Sequence, residues 1–216
     1  MVKVVKTEFS HLDKVAVCHA KAFPNALATA LGKKYLKVML SWYLSTSKTF
    51  LFHLESDGVV VGYCGSIISD GTLGTGSSSG MAQHSFSAAV KAISIRPWVL
   101  FHPEILAKWS LLFRNLLMKL GLRKKLHFTR EQSILMSQDP HLGLVVIGVD
   151  PSFHGKGYGS LLLKEFERIA KVDYGIHKLQ LSVKANNSKA IRAYQNNGWQ
   201  HGNQSGNSLS MFKVVY

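Results

Sequence analysis

Glycines at every second position, Gly155, Gly157 and Gly159, alternate with His154, Lys156, Tyr158 and Ser160 in VDPSFHGKGYGSLLL, positions 149–163. The apolar run ending at Val149 reads as a strand that stops at Asp150-Pro151. The apolar run after Ser160 reads as a helix. Glycine lets the backbone bend sharply there and approach a ligand without a side chain in the way. The helix that follows aims its free N–H groups and positive dipole end into the bend. Lys156 adds a cation, and His154 adds charge only as pH falls. The turn is therefore built like a cradle for a pyrophosphate. It is not a P-loop, since no Lys-Ser/Thr pair follows, and G-x-G-x-G is not the dinucleotide spacing G-x-G-x-x-G. The plainer reading is a glycine-rich strand-to-helix connection with no ligand.

The rest of the chain must supply a sheet and helices to hold this turn. Residues 2–8 read as a strand. Ser10 with Asp13 gives a capping-box pattern for a helix over 11–23, stopped at Pro24. Leu27, Leu31, Leu36, Met39, Leu40, Tyr43 and Leu44 recur at helical spacing and predict one helix over 27–45. Runs 49–54 and 59–68 read as a hairpin turning at Asp57-Gly58. Residues 71–80 have the composition of a flexible loop. Helices are predicted over 83–95, 103–120, 157–171 and 187–197, and strands over 142–149, 178–183 and 209–215. Residues 200–208 are expected to be a loop. Hairpins precede a strand–helix–strand–helix run, with no internal repeat. That order is an α/β (α+β) fold with a mixed sheet, and 1–216 is expected to be one domain.

Composition narrows the setting. Cys18 and Cys64 form no motif and are expected to be reduced core residues. No CxxC or HExxH pattern points to a metal. The first residues lack a signal-like apolar run, and no membrane span is expected, which makes the expected location cytoplasmic. The net charge of +14 favours an anionic contact. Much of it lies in 83–130, where nine Lys and Arg face Glu104 alone, interleaved with Trp98, Phe101, Ile105, Trp109, Leu112 and Phe113. Three readings stay open for this stretch. It packs on the core or in a homodimer, it docks peripherally on an anionic membrane surface, or it cradles an anionic acceptor. Nucleic acid fits least, because no RNA-binding signature is present.

The glycine turn and a second block together resemble the GNAT acetyltransferase superfamily. His154-Gly155-Lys156-Gly157-Tyr158-Gly159 is similar to the family's acetyl-CoA loop, with His154 where the family has Arg or Gln. VKANNSKAIRAYQNNGW, 183–199, resembles its strand-then-helix segment, in which Asn187, Tyr194, Gly198 and Trp199 fill the matching places. The resemblance implies a mostly antiparallel central sheet flanked by helices. The segment 71–140 then becomes a helical, basic insertion between strands three and four. Removing it is expected to leave a core that still binds cofactor, unless Trp98, Trp109 and Phe113 are core residues.

The resemblance also implies transfer of an acetyl group from acetyl-CoA, as cosubstrate, to an amine acceptor that the sequence does not identify. A catalytically silent acetyl-CoA-binding module is the alternative. Within the family pattern the amides of 154–160 grip the pyrophosphate and Asn187 holds the pantetheine arm. A backbone N–H among Ile147, Gly148 and Val149 polarises the thioester, with Gly148 expected at a bulge. Tyr194 is the implied general acid for the leaving thiolate. The family's acidic base is absent, and His141, then His53, are the expected substitutes. The acceptor is expected near 23–34 and 200–208.

Overall fold

In a computed structural model of the chain, residues 1–69, 78–107 and 140–216 are described. β1 (Val2–Lys6) is followed by α1 (Leu12–Ala22), α2 (Leu27–Leu31) and α3 (Lys33–Ser41). The hairpin of β2 (Thr49–Ser56) and β3 (Val59–Ser69) comes next. Its two-residue turn puts Asp57 at φ 51° and Gly58 at φ 77°, the paired positive φ that matches strand twist. α4 (Ser78–His84), α5 (Phe86–Ile95) and α6 (Pro103–Leu106) lie between β3 and β4 (His141–Val149). The chain closes with α7 (Tyr158–Arg168), β5 (Lys178–Lys184), α8 (Ser188–Gln195), β6 (Gln200–Ser205) and β7 (Ser208–Val214).

The strands form one sheet in the order β1-β2-β3-β4-β5-β7-β6. Every neighbouring pair is antiparallel except β4 with β5. Alternation along the strands feeds two cores. Phe50, Phe52 and Leu54 of β2 join Leu162 and Phe166 of α7 on one face. Leu51 of β2 and Tyr63 of β3 join Val15 of α1 and Leu40 of α3 on the other.

Several expectations need correcting. The first helix is led by a short 3-10 turn, Phe9–His11, whose capping box uses Glu8 and His11 rather than Ser10 and Asp13. The single helix expected over 27–45 is broken at Gly32, which sits at φ 93°; periodicity cannot see a break that keeps the same face buried. Residues 200–205 are an edge strand, too polar to announce itself. Ser78–Gly80, expected in a loop, already belong to α4. Of the helix expected over 103–120, α6 is helical, and 108–120 lie outside the described residues, as do 71–77.

The small third core explains the break. Leu31 is buried against Val99 and Ile105. Arg96 donates from its guanidinium to the carbonyls of Leu31 (2.8 Å) and Ala30 (3.5 Å). Glu104 accepts from the N–H of Leu27 at 3.2 Å. Both ends of the five-residue helix α2 are therefore capped by side chains from between β3 and β4. Trp98 is no core residue: it is 65% exposed. Trp109 and Phe113 lie outside the described residues.

Candidate active site

The parallel pair β4–β5 is short. It registers Leu142 with Leu179, Gly143 with Gln180 and Leu144 with Leu181, and goes no further. The register of β4 against β3 slips at the same height, where Gly65 faces Val146 and Ser66 faces Leu144. The extra residue, Val145, bends β4 away from β5. The bulge expected at Gly148 is thus three residues earlier. Gly148 is glycine for another reason. A Cβ there would lie 2.9 Å from the Phe23 ring, 3.0 Å from the Tyr63 ring and 3.2 Å from Ala22 Cβ.

Beyond Leu144 the β5-facing edge of β4 has no strand partner among the described residues. The Asp150 N–H donates to Val61 O at 2.9 Å. Since N–H direction alternates along a strand, Gly148 points toward β3 as well, and the N–H groups of Ile147 and Val149 point into the split. These are donors fixed by the sheet, with no side chain needed to aim them.

The split opens into a cavity of about 540 Å³, within the usual range for a small-molecule site. Ile147, Gly148 and Val149 form its floor. His154, Gly155, Gly157, Tyr158, Gly159 and Ser160 form one wall, and Asn187 and Tyr194 of α8 the opposite one. Gly155 and Gly157 both stand at φ 78°. A Cβ on Gly155, Gly157 or Gly159 would meet no protein atom within 4 Å, so these three face open space. Gly157 is the N-cap of α7, whose first residues Tyr158, Gly159 and Ser160 line the cavity. The structure therefore brings the two sequence blocks together around one hollow.

Individual side chains refine the picture. His154 Nε2 lies 3.2 Å from Val149 O and ties the loop to the strand end. Lys156 does not line the cavity; its ammonium sits 5.0 Å from the centre of the Phe153 ring. Asn187 Oδ1 accepts from the Ala190 N–H at 3.2 Å and caps α8, while the residue still lines the cavity. Ser160 Oγ accepts from Asn197 Nδ2 at 3.2 Å, joining α7 to the end of α8. Tyr194 packs on Trp199, ring centres 6.0 Å apart. Burial pushes its hydroxyl up to about 12, so the proton stays on oxygen at neutral pH.

His141 is not at the site. It pairs with Ser69 at the far end of β4, six residues from Ile147 and so roughly 20 Å away along the strand. His53 is buried on β2, two strands from β4, with Nδ1 2.8 Å from Thr7 Oγ1. The sequence reading also missed part of the lining. Ala22 and Phe23 at the end of α1, with Phe153, Lys189 and Asn197, face the same hollow. Only the match of 23–34 to an acceptor region hinted at Phe23.

Comparison with known proteins fits this geometry. The family described as Acetyltransferase (GNAT) matches residues 125–199, the span that holds β4, the glycine turn, α7 and α8. Over those residues the chain is similar to the GNAT acetyltransferase family. Among solved structures, its fold is similar to the PaiA N-acetyltransferase of Thermoplasma acidophilum in complex with coenzyme A. The TM-score is 0.55 at 14% identity, covering 100% of this chain and 99% of that one. It is also similar to the aminoglycoside N-acetyltransferase AAC(6')-Iy in complex with CoA, with TM-score 0.57 at 12% identity and coverage of 95% and 92%. The Escherichia coli ribosomal-protein-S18-alanine N-acetyltransferase gives 0.50 at 15% identity, covering 100% and 94%. No curated protein sequence matches at a significant level. Among the described residues, no helix is long and apolar enough to cross a membrane. The GNAT fold thus accounts for the split sheet and the glycine turn as one device.

Proposed function

We propose that this chain moves the acetyl group of acetyl-CoA onto an amine. The observation that carries the reading is the shared hollow, where the glycine turn, the start of α7 and the free edge of β4 meet. The turn 154–160 holds the pyrophosphate through its amides and the α7 dipole. The pantetheine arm runs along the free edge of β4, past Asn187. The Ile147 N–H, facing the split, polarises the thioester carbonyl; one such preorganised donor supplies roughly 3 kcal/mol. Tyr194, protonated at neutral pH, delivers its hydroxyl hydrogen bond or proton to the departing thiolate. The acceptor enters from the side of Phe23 and α2, opposite the pyrophosphate.

Calorimetry with acetyl-CoA and a thiol assay for CoA release across a panel of amines test this reading. The Gly157→Val variant is the control. At φ 78° a β-branched residue is strained, and its side chain would occupy space that the pyrophosphate needs. Affinity for acetyl-CoA is expected to fall at least 100-fold, while the strain at positive φ lowers the melting temperature by roughly 2–12 °C and leaves the fold intact. Unchanged affinity would place the cofactor elsewhere, and binding with no turnover on any amine would favour a silent module.

A further inference from the structure

Behind the Phe23 and Gly148 lining of the hollow lies a buried polar pair. His19 is buried in α1, one turn before Ala22 and Phe23. Its Nδ1 lies 2.5 Å from the Tyr63 hydroxyl. Among the described residues its Nε2 is buried with no partner, a state that costs roughly 1–3 kcal/mol and asks for an explanation. Tyr63 is the register partner of Gly148 on the cavity floor. The Phe23 ring touches both regions: it crowds the Cα of Gly148 and its centre is 5.1 Å from that of the His19 ring.

We propose that the His19–Tyr63 pair receives the proton shed by the acceptor nitrogen once the Phe23 ring turns aside, and that the acceptor is a weakly basic amine of the α-amino class. This rests on the acetyl-transfer reading above. The neutral amine attacks the thioester carbon and forms the C–N bond. The resulting N–H⁺ passes its proton to His19 Nε2, while Nδ1–H donates to the Tyr63 oxygen. The C–S bond then breaks, and the thiolate leaves as CoA with a proton from Tyr194 or water. The imidazolium returns its proton to solvent, and Tyr194, where it was the donor, regains one from solvent. The sum is amine plus acetyl-CoA giving amide plus CoA.

The surroundings fix the charge state. Burial pushes Cys18 up to about 12 and raises Tyr43, Tyr63 and Cys64 further, so none of these neighbours is anionic at neutral pH. Asp150, the carboxylate whose charge acts on Cys18, is paired with Lys21 at 2.8 Å. Burial lowers His19 to about 4, which keeps its imidazole neutral and leaves one ring nitrogen free to accept. Such a weak base cannot strip an alkylammonium. Among the described residues no carboxylate lines the hollow to collect one. The amine must therefore arrive uncharged. At pH 7 an α-amino group is about 10–17% free base, a lysine-type amine about 0.04%.

The test uses the full chain with two probes, alanine amide and n-butylamine, at equal total concentration and pH 7. Alanine amide is expected to react more than 10-fold faster, since the free-base fractions differ roughly 300-fold. His19→Gln should lower kcat at least 10-fold with acetyl-CoA affinity intact, and added imidazole should restore part of the rate to His19→Ala. Equal rates for the two amines, or full kcat in His19→Gln, overturn the proposal. Failure of the wild-type chain to bind acetyl-CoA strikes the cofactor reading instead. Where neither probe reacts, ¹⁵N NMR of the histidine-labelled chain bound to CoA decides. Unprotonated Nε2 with protonated Nδ1 supports the relay, and the opposite tautomer overturns it.

Discussion

Around Gly157 a site is assembled from neighbours in sequence, and around Gly32 a support is assembled from strangers. The cofactor wall uses backbone: a strand edge, a turn and a helix start within 147–160, all in one short stretch. The α2 support uses side chains. Arg96 and Glu104, some 70 residues further on, cap the two ends of a helix whose single buried residue is Leu31. Backbone sites write themselves into sequence as glycine spacing. Side-chain caps between distant segments leave only an ordinary Arg and an ordinary Glu. On the proposed reading the contrast also separates duties: one region holds the cofactor, and the other shapes the acceptor end.

The sharpest way to break this contrast is Gly32→Ala. A Cβ at Gly32 would lie 1.9 Å from an Arg96 guanidinium nitrogen, and the φ of 93° disfavours any side chain. The clash falls on a flexible side-chain end, so Arg96 can move, but it then leaves the carbonyls of Ala30 and Leu31. The strain and lost cap together should cost about 2–3 kcal/mol. A chain of this size should melt roughly 4–12 °C lower, with acetyl-CoA affinity unchanged when measured below the transition. An equal loss of affinity would mean that the two regions are not separable.

Tyr194→Phe is the matching probe on the cofactor side. The ring still packs on Trp199, so stability should hold. Only the leaving-group step loses its hydroxyl, and kcat should fall about 10-fold while acetyl-CoA affinity stays. An unchanged kcat would remove Tyr194 from the chemistry.

What sequence could reveal follows the same line. The glycine turn, the second block over 183–199 and the hairpin at Asp57-Gly58 were legible because each depends on local backbone need. The bulge of β4 was expected at Gly148, three residues late, because the bulged residue, Val145, is not a glycine. Tyr194 and Asn187 were found through their spacing to Gly198 and Trp199. His19 drew no notice, because a histidine inside an apolar helix reads as core, and only the register of Tyr63 against Gly148 sets its pair behind the cavity floor. His141 was chosen for its place on the right strand, but a strand of nine residues is long enough to put its ends in different neighbourhoods.

The smallest effect should come from Glu104→Gln. The carboxylate sits at the start of α2, where it accepts from the Leu27 N–H and faces the positive end of the helix. The amide keeps the shape and can still accept that bond. What disappears is the charge, a contribution of about 0.3–1 kcal/mol at a helix terminus, reduced further because α2 is only five residues long. The melting temperature should drop by no more than roughly 1–4 °C, and acetyl-CoA binding should not change. If α2 shapes the acceptor end, KM for the amine should rise a few-fold with kcat unaffected, since a shifted wall weakens binding without touching the reacting atoms. A rise in the acetyl-CoA dissociation constant with no change in amine KM would assign α2 to the cofactor side and reverse the division of duties between the two regions.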